Sequence, residues 1–463
     1  MGGQDRRRLT PVVGAALATL PPGATVVLAV SGGPDSVALA HLVRAARPDL
    51  GPLVVHVRHG LRDDATDATA ARACAAGLPS AYREIAVRVP ASGQGPEAAA
   101  RSARYDALLT AAREAGAVAV LVGHTAEDQA ETVLLNIARG AGLPGLAGMA
   151  AARQLAEDVV LLRPLLALRR ADVRAVAAAT GLPLAHDPTN DDPAQRRARA
   201  RSDLLPSLAR LTGGGTDPVA ALARLAEQAR DDAAALDELA GAAAARLVGS
   251  WGPVRCLALD PLAALPVALA SRVVRRLVLA AGGPYLASDA VRRVLSLRPG
   301  QAIDLPAGVV TSVAGGWLAV APRHTAALPW RPLRHGVTDL PELNLRLCCS
   351  SGAGAGVGDD AGVLPPWAPP RAATSVRLDG SGGLVVRARR PGDRIRTAAG
   401  TQLVATAMVA AAVPRPARDL LPVVADADGP LWVPGVAVRG GQRGAFRLHL
   451  EALMASTSTE LTE

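Results

Sequence analysis

Lysine is absent from this 463-residue chain, so all 50 of its basic residues are arginine. Against 41 acidic residues this leaves a formal net charge of +9. A basic excess favours a polyanionic partner. It is equally what remains when a GC-rich genome writes Arg in place of Lys, so charge supports a nucleic-acid role without establishing one. Aromatic residues are scarce, with one Phe, three Tyr and five Trp, so cores must be built from Ala, Val and Leu. The four cysteines are Cys74, Cys256, Cys348 and Cys349. No pair has the two-residue spacing that chelates a metal, which points to a reduced protein free of metal–thiolate centres. No uncharged apolar run approaches the ~20 residues that cross a bilayer. The opening arginines and PVVGAALATL imitate a signal peptide, but Pro21, Pro22 and Gly23 break the run. An ordinary first helix is expected there.

What is present is an alternation. From about residue 24, short apolar runs (VVLAV, LVVHV, VAVLVG) alternate with longer Ala/Arg/Leu segments such as VALAHLVRAA. Buried strands alternating with helices predict an α/β domain, a parallel sheet with helices on both faces. Ligands of such sheets bind at the carboxyl ends of the strands. A chain this long exceeds the ~250 residues at which one core stops growing. Turn-rich and Gly/Pro-rich stretches divide it into an α/β domain at 1–215, a helical domain at 216–330, a linker region at 331–383 and a small α+β domain at 384–455. There is no internal repeat.

The sharpest local signal is Ser31-Gly32-Gly33-Pro34-Asp35-Ser36, between a strand-like run and a helix-like one. Glycines without Cβ let backbone N–H groups approach phosphate oxygens, and Pro34 suits a first helical position, where a missing N–H costs nothing. The following helix turns its positive dipole end toward the anion. Ser31 and Ser36 supply hydroxyls, and Asp35 can orient Mg2+ or water. A Walker loop needs Gly-Lys-Ser/Thr and a dinucleotide loop Gly-x-Gly-x-x-Gly; neither is here.

The loop resembles that of the N-type ATP pyrophosphatases, the PP-loop superfamily, with a Rossmann-like sheet. Further residues follow in order: His56 to Arg62; Arg101, Arg104 and Tyr105; Gly123, His124, Glu127, Asp128, Gln129, Glu131 and Thr132, with Arg139-Gly140; Arg163 to Leu166; Asp187 to Asp191; and Arg196, Arg197, Arg199 and Arg201 before Leu204 to Pro206. Together these resemble the tRNA(Ile)-lysidine synthetase family, closely over residues 25 to 210. The likeness resumes at Arg387 to Ile395 and Arg418 to Pro422.

The resemblance implies a cytoplasmic, ATP- and Mg2+-dependent ligase with no membrane association. It would join free L-lysine to the wobble cytidine of a CAU anticodon in isoleucine tRNA, through an adenylated cytidine, releasing AMP and pyrophosphate. A homodimer is compatible with it. Ser31, Gly32, Gly33, Pro34, Asp35 and Ser36 would hold ATP, with Asp35 toward the metal. Asp128 and Glu131 would take the lysine ammonium groups. His124 would transfer a proton or contact phosphate, and His124, Asp128 and Glu131 would share a face if their segment is one helix. Arg104 would stabilise developing phosphate charge. Arg101, Arg196, Arg197, Arg199, Arg201 and Arg394 would contact tRNA. Arg58 stands where the family often has Asp or His, and the segment from Gly400 lacks the family's usual lysines. Arg387, Arg389, Arg390 and Arg394 are expected to compensate for them. The alternatives are a tRNA thiolase of the same superfamily, which would need a cysteine pair that Cys74 alone does not supply, and a catalytically silent RNA-binding relative.

Overall fold

A computed structural model describes residues 2–58, 65–88, 96–186, 192, 194–351, 365–368, 375–379, 383–442 and 446–453. The chain forms two compact units, Met1–Ala234 and Ala235–Glu463.

In the first unit the order is α1 (Gly2–Ala16), β1 (Thr25–Ala29), α2 (Pro34–Ala46), β2 (Gly51–Arg58), α3 (Ala65–Gly77), β3 (Ala81–Ala86), α4 (Pro96–Glu114), β4 (Ala119–Val122), α5 (Ala126–Ala138), α6 (Leu143–Leu146), β5 (Ala152–Ala156), β6 (Val159–Leu162), α7 (Arg170–Ala178), α8 (Arg196–Arg199), α9 (Leu205–Leu211) and α10 (Pro218–Leu247), which continues into the second unit. A π-helical turn, Ala200–Leu204, joins α8 to α9.

The sheet order is β3-β2-β1-β4-β6-β5. All pairings are parallel except that of the edge strand β5 with β6. Successive residues of a strand face opposite sides, and β1 is buried on both. Val26 and Leu28 join a core with Leu39, Val43, Cys74 and Val173, from α2, α3 and α7, while Val27 joins Tyr105 and Leu108 of α4. That two-sided burial is why the run reads as continuously apolar. The chain builds outward from β1 to β3, then returns to place β4 on the other side of β1. The switch point therefore lies between the carboxyl ends of β1 and β4, where open α/β sheets bind their ligands.

The second unit continues with β7 (Val248–Trp251), β8 (Val254–Ala258), α11 (Leu259–Ala263), α12 (Val267–Ala280), α13 (Ser288–Leu295), β9 (Ala302–Leu305), β10 (Val309–Ala314) and β11 (Trp317–Pro322). The expected helices pack on an antiparallel sheet, β7-β8-β11-β10-β9, that helical periodicity did not announce. Helix α12 supplies the stripe Ala270, Val273, Val274, Leu277 and Val278, the spacing of one apolar face.

Then come β12 (Arg331–Pro332), β13 (Gly336–Leu340), β14 (Leu345–Ser351), β15 (Ser375–Leu378), β16 (Val385–Arg387), β17 (Arg394–Thr397), β18 (Gly400–Leu403), α14 (Val404–Ala410), β19 (Val423–Asp426), β20 (Gly429–Val433), β21 (Ala437–Val438) and β22 (Phe446–Ala452). They form the sheets β12-β16-β19-β20-β21 and β13-β14-β22-β15 and the hairpin β17-β18. Strands β12 to β15 fall inside the stretch expected as a linker and pair with later strands. The Gly/Pro composition of that stretch had hidden them. The core here is anchored by Trp251, Trp367 and Trp432.

Candidate active site

Two turns meet at the switch point, and both are shaped by glycine. After β1, Gly32 takes φ +88°, and a Cβ there would stand 2.5 Å from the Asp67 carbonyl oxygen. Only glycine fits that conformation and that approach. Helix α2 begins at Pro34 behind Gly33, without a side-chain cap, so its positive end faces the turn. The Ser36 hydroxyl donates to the Gly33 carbonyl at 2.8 Å and accepts from the Ser31 amide at 3.2 Å, and the two serine hydroxyls lie 3.2 Å apart. Buried His56 donates from Nδ1 to the Val30 carbonyl at 2.9 Å, fixing the end of β1. After β4, a Cβ on Gly123 would stand 2.9 Å from the Asp35 carbonyl oxygen. The two turns therefore touch backbone to backbone.

His124 lies before α5, because Thr125 is the N-cap. The expected three-residue helix face is thus corrected: strand β4 places His124, and α5 carries only Asp128 and Glu131. Asp128 completes a capping box, its Oδ2 accepting from the Thr125 amide (2.8 Å) and hydroxyl (2.9 Å). Its Oδ1 accepts from Arg170 at 2.8 Å. Glu131 is fully buried, and its Oε1 accepts from Arg201 at 2.9 Å and Arg170 at 3.4 Å. Its Oε2 is buried with no partner among the described residues. Arg170 also lies 3.6 Å from Asp35, and Arg174 lies 3.7 Å from it. Glu127 takes the Arg169 side chain at 2.9 Å and the Arg170 amide at 2.8 Å.

Burial raises the Asp35 carboxyl above its usual range despite Arg170 and Arg174. Burial would raise Asp128 too, but Arg170 and the Thr125 amide outweigh it and hold that carboxyl below its usual range. Arg170 is lowered by burial and raised more by Asp128, Glu131 and Asp35, so its charge is secure.

Beside this acidic group lies a basic one. Arg101, Arg104 and Arg153 stand over the Tyr105 ring at 5.3, 5.4 and 5.5 Å from its centroid. Arg163 is buried and donates to the Ala150 carbonyl at 2.6 Å. Burial, with the neighbouring guanidiniums, lowers Arg101 and Arg163 below ordinary arginine. Clustered cations of this kind favour an anionic ligand. His124 feels both groups: burial and then Arg104, Arg163 and Arg101, against Asp128, bring its imidazole down to about 3. It is neutral at pH 7, with Nδ1 buried and no partner among the described residues.

Of the sequence-predicted tRNA arginines, Arg196 and Arg199 are exposed and Arg197 is half-buried. Arg201 is half-buried and donates to Glu131 of the acidic group at 2.9 Å. Arg394 is exposed on β17, whereas Arg387 is buried against Asp393 at 2.7 and 3.0 Å and Arg389 pairs with Asp419 at 2.9 Å. Sequence reasoning missed Arg170, Arg174 and Arg153. The signal for Arg170 was indirect: two inward-facing carboxylates at i and i+3 require a buried cation. His59 to Arg62 and Asp187 to Asp191 lie outside the described residues.

The uncapped glycine turn at the switch point of a doubly covered sheet defines an ATP-utilising PP-loop domain, and a family model of that description matches residues 7–208. A second model, described as the TilS substrate C-terminal domain, matches residues 384–450. A tRNA(Ile)-lysidine synthase of Symbiobacterium thermophilum is 34% identical over 460 residues, covering 90% of each chain. The chain belongs to the tRNA(Ile)-lysidine synthase family. A relative of the same name from Salinispora arenicola is 52% identical over 205 residues, 43% of this chain and 61% of its own, so the chain spans about three fifths of that relative. A crystal structure of a TilS C-terminal domain is 26% identical over 27% of this chain and 98% of its own, with a TM-score of 0.22. Among the described residues no helix is long and apolar enough to cross a membrane.

Proposed function

We propose that the chain ligates free L-lysine to the wobble cytidine of a CAU-anticodon isoleucine tRNA in the cytoplasm, using ATP, through an adenylated cytidine. The observation that carries this reading is the juxtaposition, at one switch point, of an uncapped anion-binding turn, a basic cluster and a buried acidic group with an unused acceptor at Glu131 Oε2. An enzyme that only adenylates needs the first two. The third fits a cationic second substrate.

Cytosine's ring carbonyl has no leaving group, so amine attack needs prior activation. Attack of the cytidine oxygen on the α-phosphorus of ATP breaks the bond to the β-phosphate and releases pyrophosphate. The turn from Ser31 to Ser36 would hold the triphosphate through backbone N–H groups and the α2 dipole. The Cβ-free cradle at Gly32 and the buried Asp35 Oδ1, which accepts no hydrogen bond among the described residues and has Arg174 at 3.7 Å, fit phosphate and Mg2+; the ion would offset phosphate charge during departure. Arg104 and Arg101 would stabilise charge at the α-phosphate. Neutral His124 would contact the phosphate by hydrogen bond, adding no charge of its own. The lysine ammonium would dock on Glu131 Oε2, with Asp128 acting chiefly through Arg170. The ε-amine would then displace AMP from the activated carbon.

The test is incorporation of labelled lysine into a CAU-anticodon isoleucine tRNA with ATP and Mg2+. Incorporation that is lost in Asp35→Ala supports the assignment. AMP formation on other acceptors without lysine transfer would keep the PP-loop chemistry and discard the substrate.

A further inference from the structure

The outer face of the sheet β13-β14-β22-β15 holds a group the proposed reaction does not use. Along β14, Leu345, Leu347 and Cys349 turn into the core, as do Leu448 and Leu450 of β22. The alternate residues therefore share the other face. Cys348 is paired directly with His449 across the ladder, and Glu451 follows two residues on, opposite Arg346. Cys348 Sγ, a His449 ring nitrogen and a Glu451 oxygen all lie within 4.8 Å of one another. His449 Nε2 stands 2.7 Å from Glu451 Oε1. Its Nδ1 is buried without a partner among the described residues. Arg346, opposite Glu451, is engaged by Asp339 at 3.7 Å.

We propose that Cys348, His449 and Glu451 bind one borderline-soft divalent cation of the Zn2+ type. Thiolate, imidazole and carboxylate are the donors such an ion takes, and three protein ligands leave a fourth position open for water. At Zn–S of about 2.3 Å and Zn–N or Zn–O of about 2.0 Å, donor atoms stand roughly 3 to 4 Å apart. The observed donors, all within 4.8 Å of one another, would have to draw in only slightly to reach that spacing. Without the ion, burial and Glu451 hold the thiol protonated, up to about 11; binding would release that proton to solvent as the Sγ–metal bond forms. The ion would cross-link β14 to β22, strands from opposite ends of the module, and so stabilise their pairing. Cysteine spacing could not show this, because the partners come from different strands and only one is a cysteine.

The full chain, purified metal-free, would be titrated with Co2+ as a spectroscopic probe and then with Zn2+ as competitor. The expected result is a thiolate-to-cobalt charge-transfer absorption saturating at one equivalent and removed by Zn2+. Cys348→Ser should abolish it. His449→Ala and Glu451→Gln should each weaken binding by at least the ~10- to 100-fold that loss of even an outer partner costs. Absence of the absorption in the wild-type chain, or its persistence in Cys348→Ser, would overturn the proposal. Because the wild-type titration decides by itself, a variant that fails to fold does not rescue the idea.

Discussion

Replacing Arg170 by Met tests the electrostatic logic of the site most directly. Arg170 is 9% exposed and serves Asp128, Glu131 and Asp35 at 2.8, 3.4 and 3.6 Å. Met keeps the apolar stem and removes the charge. Breaking a buried pair in this way costs about 3–5 kcal/mol, because the carboxylates stay behind uncompensated. Domains are stable by only about 5–15 kcal/mol, so the loss is large. Removing the charges together, as Arg170→Met with Asp128→Asn and Glu131→Gln, should recover most of it. The pH dependence has a definite sign. In the wild-type chain Asp128 lies below its usual range, so its contribution is present above about pH 4 and lost as pH falls through the folded value. Without Arg170, burial dominates and Asp128 moves upward, so the penalty grows from about pH 4 toward neutrality. Urea unfolding followed by far-UV circular dichroism reads this. Trp251, Trp317, Trp330, Trp367 and Trp432 all lie in the second unit, so their emission follows that unit separately. A loss below about 1 kcal/mol at pH 7.5, or one that does not shrink at pH 5, refutes the argument.

Four further outcomes are expected. Glu131→Gln should raise the lysine KM by about tenfold or more, roughly 1.4 kcal/mol, while ATP binding stays near wild type; an unchanged lysine requirement sinks the assignment of Oε2. Gly32→Ala should abolish ATP binding with secondary structure intact, since a left-handed residue costs roughly 1–2 kcal/mol before any clash; isothermal titration with ATP checks it, and normal affinity would contradict the tight-turn reading. Arg196→Ala with Arg199→Ala should lower the slope of log affinity for tRNA against log salt by about 0.7 per arginine removed. Arg387→Ala should lower stability and leave that slope alone.

The first unit was legible because its signals are local. The runs around β1 and β4 are short, apolar and flanked by glycine turns, and Ser31 to Ser36 sits where a strand gives way to a helix. What could not be read was the assignment of cations. Thirteen arginines from Arg101 to Arg201 look alike in sequence until folding decides which of them are neutralised, and Arg201 was counted with the tRNA contacts because it stands in a dense run of arginines. Its partner, Glu131, is 70 residues away. His124 was read as part of a helix because its spacing to Asp128 and Glu131 is helical, yet Thr125 starts the helix with its own hydroxyl. In the second unit β14 was hidden because a strand that pairs with residues a hundred positions later needs no local turn signal, and β13, which pairs with it as an edge strand, was hidden because the Gly/Pro stretch beside them dominates the composition.

In the acidic group, three carboxylates, Asp35, Asp128 and Glu131, face three guanidiniums, Arg170, Arg174 and Arg201. The group is electrically balanced before any substrate arrives, so an incoming ammonium meets no net attraction there. A polyphosphate docked on the neighbouring turn changes that, because it adds negative charge within reach of the same group. On the proposed reaction, substrate binding would then be ordered by charge balance: lysine should associate weakly with the bare protein and tightly after ATP.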